Sequence, residues 1–282
     1  MRNNSWLRFV ALLSVLALVL AACGDGDDAT DDTEADTTTT EAMDEEATTT
    51  TAAMTETSEA MADVGGDGVL TIGTLLPVTG DLAFLGPPEV AGARLAIEDI
   101  NAGGGVFGAD VRLVEGDSGD TNQDIANPEV DRLLAVGVDS IHGAASSAVS
   151  KLVIDKITGA GVIHFSPENT SPDFTTYDDG GMYFRTAPSD LLQGKVLADQ
   201  VLAEGNETVA VLYRQESYGQ GLADAFLENF EAAGGVVEPF TAYAVDTENF
   251  DAEVEAVVAA APDAVVVIGF AESANILTTM HE

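Results

Sequence analysis

Ser146 and Ser147 stand where a short β-branched run, 139–142, gives way through Gly143-Ala144-Ala145 to an amphipathic run, 147–158. A strand opening into a helix at that point would bring two hydroxyls and several unpaired backbone N–H groups to the positive end of the helix. That chemistry suits a carboxylate. The same serines would also serve as plain N-caps with no ligand. One strand later, Phe165-Ser166-Pro167-Glu168-Asn169-Thr170-Ser171-Pro172 is rich in turn formers. Its carbonyls and the Thr170 hydroxyl could take an ammonium, although Pro-flanked stretches are often only turns. Together the two loops could serve both ends of a small zwitterion.

Reactive chemistry is not written into the chain in the same way. There is no G-x-S-x-G elbow, no Cys/His pair and no Walker sequence. His142, His164 and His281 have no metal-ligand spacing, so neither a metal nor a cofactor is expected. Residues 103–108 do match G-x-G-x-x-G. The dinucleotide turn, however, needs a strand before it and a helix after it, and here the expected order is helix 88–101, then strand 110–115. These glycines read as helix-end and turn residues with positive φ. Acid pairs such as Asp178-Asp179 read as solvated surface, because 49 Asp plus Glu stand against 10 Lys plus Arg for a net charge of −39. Such a surface repels nucleic acid and anionic lipid alike, so no nucleic-acid partner is expected.

From Val69 onward, β-branched runs alternate with amphipathic stretches. The patterns predict strands at 69–75, 110–115, 139–142, 161–165, 208–213, 236–243 and 264–268. Helices are predicted at 88–101, 122–136, 147–158, 191–203, 219–233, 250–260 and 273–280. In Val90-Ala91-Gly92-Ala93-Arg94-Leu95-Ala96-Ile97 the apolar positions recur at three and four, which lays one face on a sheet. Strands alternating with helices make an α/β fold with parallel sheets covered on both sides. Ligands of such sheets sit at the carboxyl ends of the strands, where the two polar loops fall.

The N-terminus carries a different signal. Arg2 and Arg8 precede an apolar run of about 12 residues, Phe9 to Leu20, which is too short to cross roughly 30 Å of hydrocarbon and suits a signal-peptide core. It closes with Leu20-Ala21-Ala22-Cys23, which resembles the bacterial lipobox and contains the chain's one cysteine. Cleavage would leave Cys23 acylated at the new N-terminus, anchoring the protein at the extracytoplasmic face of a bacterial membrane. An ordinary signal peptide followed by a free cysteine is the alternative. From Cys23 to Asp67 the chain is acidic and Thr-rich with no Lys or Arg, a composition that cannot offset the entropy of ordering and reads as a solvated stalk.

Read together, these segments resemble a family. The carriers are Pro77-Val78-Thr79-Gly80 after the first strand, Ala96-Ile97-Glu98-Asp99-Ile100-Asn101 before the glycines, the Ser146-Ser147 helix start, and Ser166-Pro167 with Thr170. Further along come Phe184-Arg185-Thr186-Ala187-Pro188-Ser189-Asp190 with Gln193-Gly194, and Ser217-Tyr218-Gly219-Gln220-Gly221. Six such segments in order, from Val69 to Glu282, are similar to the type I periplasmic binding proteins of the leucine/isoleucine/valine-binding group.

The resemblance implies a two-lobed fold. Residues 1–22 would be the lipoprotein signal peptide, 23–67 the stalk, 68–187 lobe 1, and 188–282 a lobe 2 that is incomplete because the family continues beyond this point. The crossing would fall near Thr186–Pro188, with Ser189 and Asp190 capping the next helix. Function would be delivery of an amino acid, branched-chain or related, to an ABC permease by a monomeric, non-enzymatic protein. Carried over by position, Ser147, with Ser146 and the nearby N–H groups, would hold the carboxylate. The Glu168 backbone would accept from the α-ammonium, Thr170 would share both, Tyr218 would close over the ligand, and Leu85 would face its side chain. Relatives of the leucine-binding type usually have a small residue in place of Glu168, and a carboxylate turned inward would suit a cationic, amidic or hydroxylated solute. Other readings are a receptor for an amide or urea, a sensor module, and, from another class, a surface α/β enzyme.

Overall fold

The computed structural model describes residues 66–121 and 124–281. The expected signal peptide, the lipidation site Cys23 and the stalk, except for Gly66 and Asp67, lie outside the described residues. No helix among those described is long and apolar enough to cross a membrane.

The chain alternates strands and helices as β1 (Thr71–Leu76), α1 (Gly86–Ala102), β2 (Arg112–Asp117), α2 (Ala126–Val136), β3 (Ser140–Gly143), α3 (Ser147–Gly159), β4 (Ile163–Ser166) and β5 (Tyr183–Arg185). A short 3-10 turn, Pro172–Thr175, lies between β4 and β5. These strands form one parallel sheet in the order β2-β1-β3-β4-β5. The chain continues with α4 (Asp190–Ala203), β6 (Thr208–Arg214), α5 (Ser217–Ala232), β7 (Val236–Tyr243), α6 (Asp251–Ala260), β8 (Ala264–Ile268) and α7 (Ser273–His281). Here the sheet is three-stranded and parallel, ordered β7-β6-β8.

Strand periodicity explains how each sheet finds its two layers. In β6, Val209, Val211 and Tyr213 pack with Phe226 and Phe230 of α5, while Ala210 and Leu212 pack with Val254 and Val257 of α6 and Ile276 of α7. Both faces are therefore covered, and the strand reads as a continuous apolar run. In the five-stranded sheet, Leu75 and Ile141 share a core with α2 and α3. Thr74 and Leu76 point the other way, lining a hollow with Glu89, Gly92 and Ala93 of α1.

Strand-and-helix alternation was legible, and the differences have local causes. β5 was not expected. It is three residues long, and its partner is Ile163–Ser166, so tertiary pairing rather than its own pattern makes it a strand. Helix α1 begins at Gly86, two residues early, because Pro87 and Pro88 fit a first turn that needs no donor. Ser189 alone caps α4, its hydroxyl accepting from Leu191 N at 3.4 Å. Asp190 is the first helical residue, its side chain fully buried, so the capping role expected for it is corrected. The glycine-rich segment does lie between α1 and β2, but Gly103 is right-handed at φ −76°, and the positive φ values belong to Gly104, Gly105, Phe107 and Gly108.

Candidate ligand-binding cleft

The loops at the carboxyl ends of β1, β3 and β4 meet the start of α5 and the loop after β8 around a cavity of about 340 Å³. The six residues singled out from the sequence, Leu85, Ser146, Ser147, Glu168, Thr170 and Tyr218, all line it. Leu82, Phe84, Ala145, Gln193, Gly269 and Phe270 complete the wall.

The carboxylate end is built by β3 and α3. Gly143 ends β3 at φ +119°, and a Cβ there would lie 1.9 Å from the Leu75 carbonyl oxygen, so only glycine lets the chain turn against β1. Ser146 is the N-cap of α3, its hydroxyl accepting from Val149 N at 3.3 Å. Ser147, 2 % exposed, uses its oxygen differently, accepting from the amides of Thr170 and Ser171 at 3.3 Å each. Its own proton has no acceptor among the described residues, and it lies on the cleft wall beside a helix N-terminus whose first amides lack intrahelical partners. That combination favours an anion.

A buried clasp joins this turn to the loop after β4. Asn169 donates through Nδ2 to the carbonyls of Ala144 at 3.0 Å and Ala145 at 2.9 Å, while the Ser166 hydroxyl donates to Ala144 O at 2.8 Å. Below them His164 lies 2.7 Å from the Gly143 carbonyl. Burial pushes its pKa down to about 4, so at neutral pH it is an uncharged donor to that carbonyl. Arg185 donates to the carbonyls of Asn169 and Ser171 at 3.2 and 2.8 Å, completing the frame.

Thr170 and Glu168 stand on the framed loop. The Thr170 hydroxyl points toward Asp190 without full hydrogen-bond geometry, and burial raises the Asp190 carboxyl to about 6. The Glu168 carboxyl meets that of Glu89 in the first turn of α1. Both Glu89 oxygens are buried without a donor, and burial, then the neighbouring Glu168, raises Glu89 to about 7. A helix N-terminus would by itself lower an acid there, so desolvation outweighs the dipole.

From the second sheet, Tyr218 enters at the second helical position of α5. Glu216 caps that helix by accepting from Tyr218 N at 3.0 Å and Gly219 N at 2.6 Å. The Tyr218 ring stacks on Phe270, centroids 5.7 Å apart and planes 10° off parallel, and its hydroxyl meets Gln193. Burial holds the phenol up at about 12, so it enters the cleft as a neutral hydroxyl.

Phe270, Gln193, Leu82 and Phe84 were not singled out from the sequence as site residues. Phe270 follows β8 by two residues, so the strand-end rule that found Ser146 would have found it too. The other three sit in stretches whose patterns indicate only a turn or a helix.

Residues 69–282 match the model of a periplasmic binding protein family. Among curated proteins, the chain is 34 % identical to a Leu/Ile/Val-binding protein homolog 3 of Brucella melitensis over 183 residues, 64 % of this chain and 47 % of that protein. It is 33 % identical to a leucine-, isoleucine-, valine-, threonine- and alanine-binding protein of Pseudomonas aeruginosa over 179 residues, 62 % of this chain and 47 % of that one. The chain thus spans about half the length of the curated relatives it matches. Among solved structures, it superposes with TM-score 0.67 and 25 % identity on a branched-chain amino acid transporter substrate-binding protein of Streptococcus pneumoniae in complex with isoleucine. That match covers 76 % of this chain and 61 % of the other.

Proposed function

Because the chain belongs to the periplasmic binding protein family, we propose that it is the extracytoplasmic solute-binding component of an ABC importer for amino acids, branched-chain or related, tethered through lipid on Cys23. The lobes are taken as 68–187 and 188–282, meeting at the cleft. Support comes chiefly from one observation: groups suited to a carboxylate and groups suited to an ammonium stand on adjacent, mutually clasped loops at the strand ends of the same cleft.

In this reading Ser147 and the first amides of α3, with Ser146 beside them, take the solute's carboxylate. The Glu168 carbonyl and Thr170 take its ammonium. Leu82, Phe84, Leu85 and Phe270 enclose an apolar side chain, while Tyr218 covers the solute from the second lobe. Closure about the β5–α4 crossing would exclude water, which strengthens each charge-assisted hydrogen bond, and the closed form would dock on the permease. Micromolar affinity requires about −8 kcal/mol, within reach of a few such bonds.

Glu168, a residue of the cleft wall whose carboxyl meets that of Glu89, favours a second reading, a solute with an amide, hydroxyl or cationic group, for which Glu168 would be the partner. Calorimetric titration of the chain with leucine, isoleucine, valine, glutamine, ornithine and acetamide separates the two. Binding of the first three supports the branched-chain reading, and binding confined to the last three supports the other. Heat from none would remove the amino-acid assignment for this chain.

A further inference from the structure

Arg214 ends β6 and is 1 % exposed, yet its guanidinium reaches across to the other sheet's loops. Nη2 donates to Asp81 Oδ2 at 2.8 Å, and Nη1 lies 3.1 Å from Glu272 Oε1. The guanidinium carbon sits 4.8 Å from the ring centroid of Phe270, the same ring that stacks on Tyr218. Both partners are held in place, Asp81 through its backbone and Glu272 through its carboxylate. The Asp81 amide donates to Asp120 at 3.0 Å, and Glu272 accepts from Tyr243 at 2.9 Å and from the Phe270 amide at 3.1 Å. Asp81 is in the loop that carries Leu82, Phe84 and Leu85 to the cleft, and Phe270 is on the wall opposite.

The surroundings make this cation hard to replace. Asp81 also borders a second cavity lined by Asp246, Glu248 and Glu272, with no basic residue on its wall. Without Arg214 the first-sheet loop would approach an acidic surface in a chain of net charge −39, and the lobes would repel along that edge. Lysine would carry the charge but not the planar fork that bridges two carboxylates while stacking on a ring.

We propose that Arg214 is a positioning residue for closure: through Asp81 it ties the lobe-1 loop to lobe 2, and by stacking it holds Phe270 in the cleft wall, so the side-chain compartment is complete only while the bridge is made. The part concerning solute retention rests on the amino-acid reading. The bridge itself does not.

The experiment uses the full chain with Cys23→Ser and spin labels at two exposed helix positions, Leu152→Cys on α3 and Val258→Cys on α6. Interlobe distances are measured with no solute and with L-isoleucine, and isoleucine dissociation is followed by stopped flow. Asp81→Asn and Arg214→Gln should shift the solute-free distribution to longer distances and speed isoleucine release about fivefold, the scale of one partly exposed ion pair. Asp81→Glu should restore the short distances. Arg214→Lys should keep them but still release isoleucine faster, because the stack is lost. Unchanged distances in both Asp81→Asn and Arg214→Gln, or an Asp81→Glu variant as open as Asp81→Asn, would overturn the proposal. Should Arg214→Gln fail to fold, the Asp81 pair decides it. If isoleucine binds no variant, the amino-acid reading fails while the solute-free distances still judge the bridge.

Discussion

Tyr183 donates its phenolic hydroxyl to Asn169 Oδ1 at 2.9 Å and thereby fixes which way that amide faces. With the oxygen committed, the Asn169 nitrogen has to point at the carbonyls of Ala144 and Ala145. A residue of the unexpected strand β5 therefore sets the orientation of the clasp between the two cleft loops. Asn169→Asp would place an acceptor against two buried carbonyls. It should cost about 2–3 kcal/mol of stability in denaturant titration, while Tyr183→Phe should cost about 1 kcal/mol. Equal effects of the two would mean that the orientation is fixed elsewhere.

In the cleft, Ser147→Ala with Thr170→Ala removes two groups proposed to face a charged ligand. Each hydrogen bond to a charge is worth about 1.5–3 kcal/mol, so affinity for any α-amino acid the chain binds should fall at least tenfold in calorimetry. An unchanged dissociation constant would take the solute's head groups out of this part of the cleft. Because Ser147 also accepts from the Thr170 and Ser171 amides, the melting point needs to be followed alongside.

Glu89 gives a pH signature. Its carboxyl rises from an ordinary value of 4.5 to about 7 on folding. Between those values the folded chain holds a proton that the unfolded chain has lost, so the group's contribution is full below about pH 4.5 and is lost as pH rises through 7. Glu89→Gln should flatten this interval: relative to the parent, it should be the more stable form at pH 8 and show no advantage at pH 4. Parallel pH–stability curves for the two proteins would show that Glu89 does not hold that proton.

At the start of α4, Ser189→Ala should cost about 1 kcal/mol as a lost cap. Asp190→Asn should instead reduce the loss of stability that accompanies a rise in pH from 3.8 to about 6, the interval over which burial keeps the Asp190 carboxyl protonated in the folded chain but not in the unfolded one. Thermal melts across pH distinguish a cap, whose effect is nearly flat, from a buried acid, whose effect is not.

For the anchor, Cys23→Ser should abolish incorporation of labelled fatty acid, because no other thiol is available for the thioether. Label retained in the serine variant would remove the lipoprotein reading.

Strand-and-helix alternation was readable because β-branched runs and three-four spacing are local properties of the chain. Ser146, Ser147 and Thr170 were readable because strand ends and helix starts can be found from the same patterns. What escaped depends on partners far away in sequence. β5 exists by pairing with β4, and Phe270 matters through its stack on Tyr218. Arg214 meets Asp81 133 positions away. Asp190 misled because Asp beside Ser before a helix is a capping pattern, and only burial distinguishes the residue that caps from the one that follows it.

The groups proposed to meet a solute's head groups and the stacked Tyr218–Phe270 pair come from different sheets. Ser147 at the start of α3 and Glu168 and Thr170 on the loop after β4 belong to the five-stranded sheet and are joined by the buried clasp, while Tyr218 and Phe270 come from the three-stranded one. If an amino acid is the solute, arrival and selection become separate events in time. An α-amino acid would land first by its head groups on the clasped half, at rates set mainly by the groups that all such solutes share. Discrimination is then exercised in how long each guest stays, when the rings come down on it. Such a receptor samples a mixed pool quickly, and its preferences are written almost wholly in departure times.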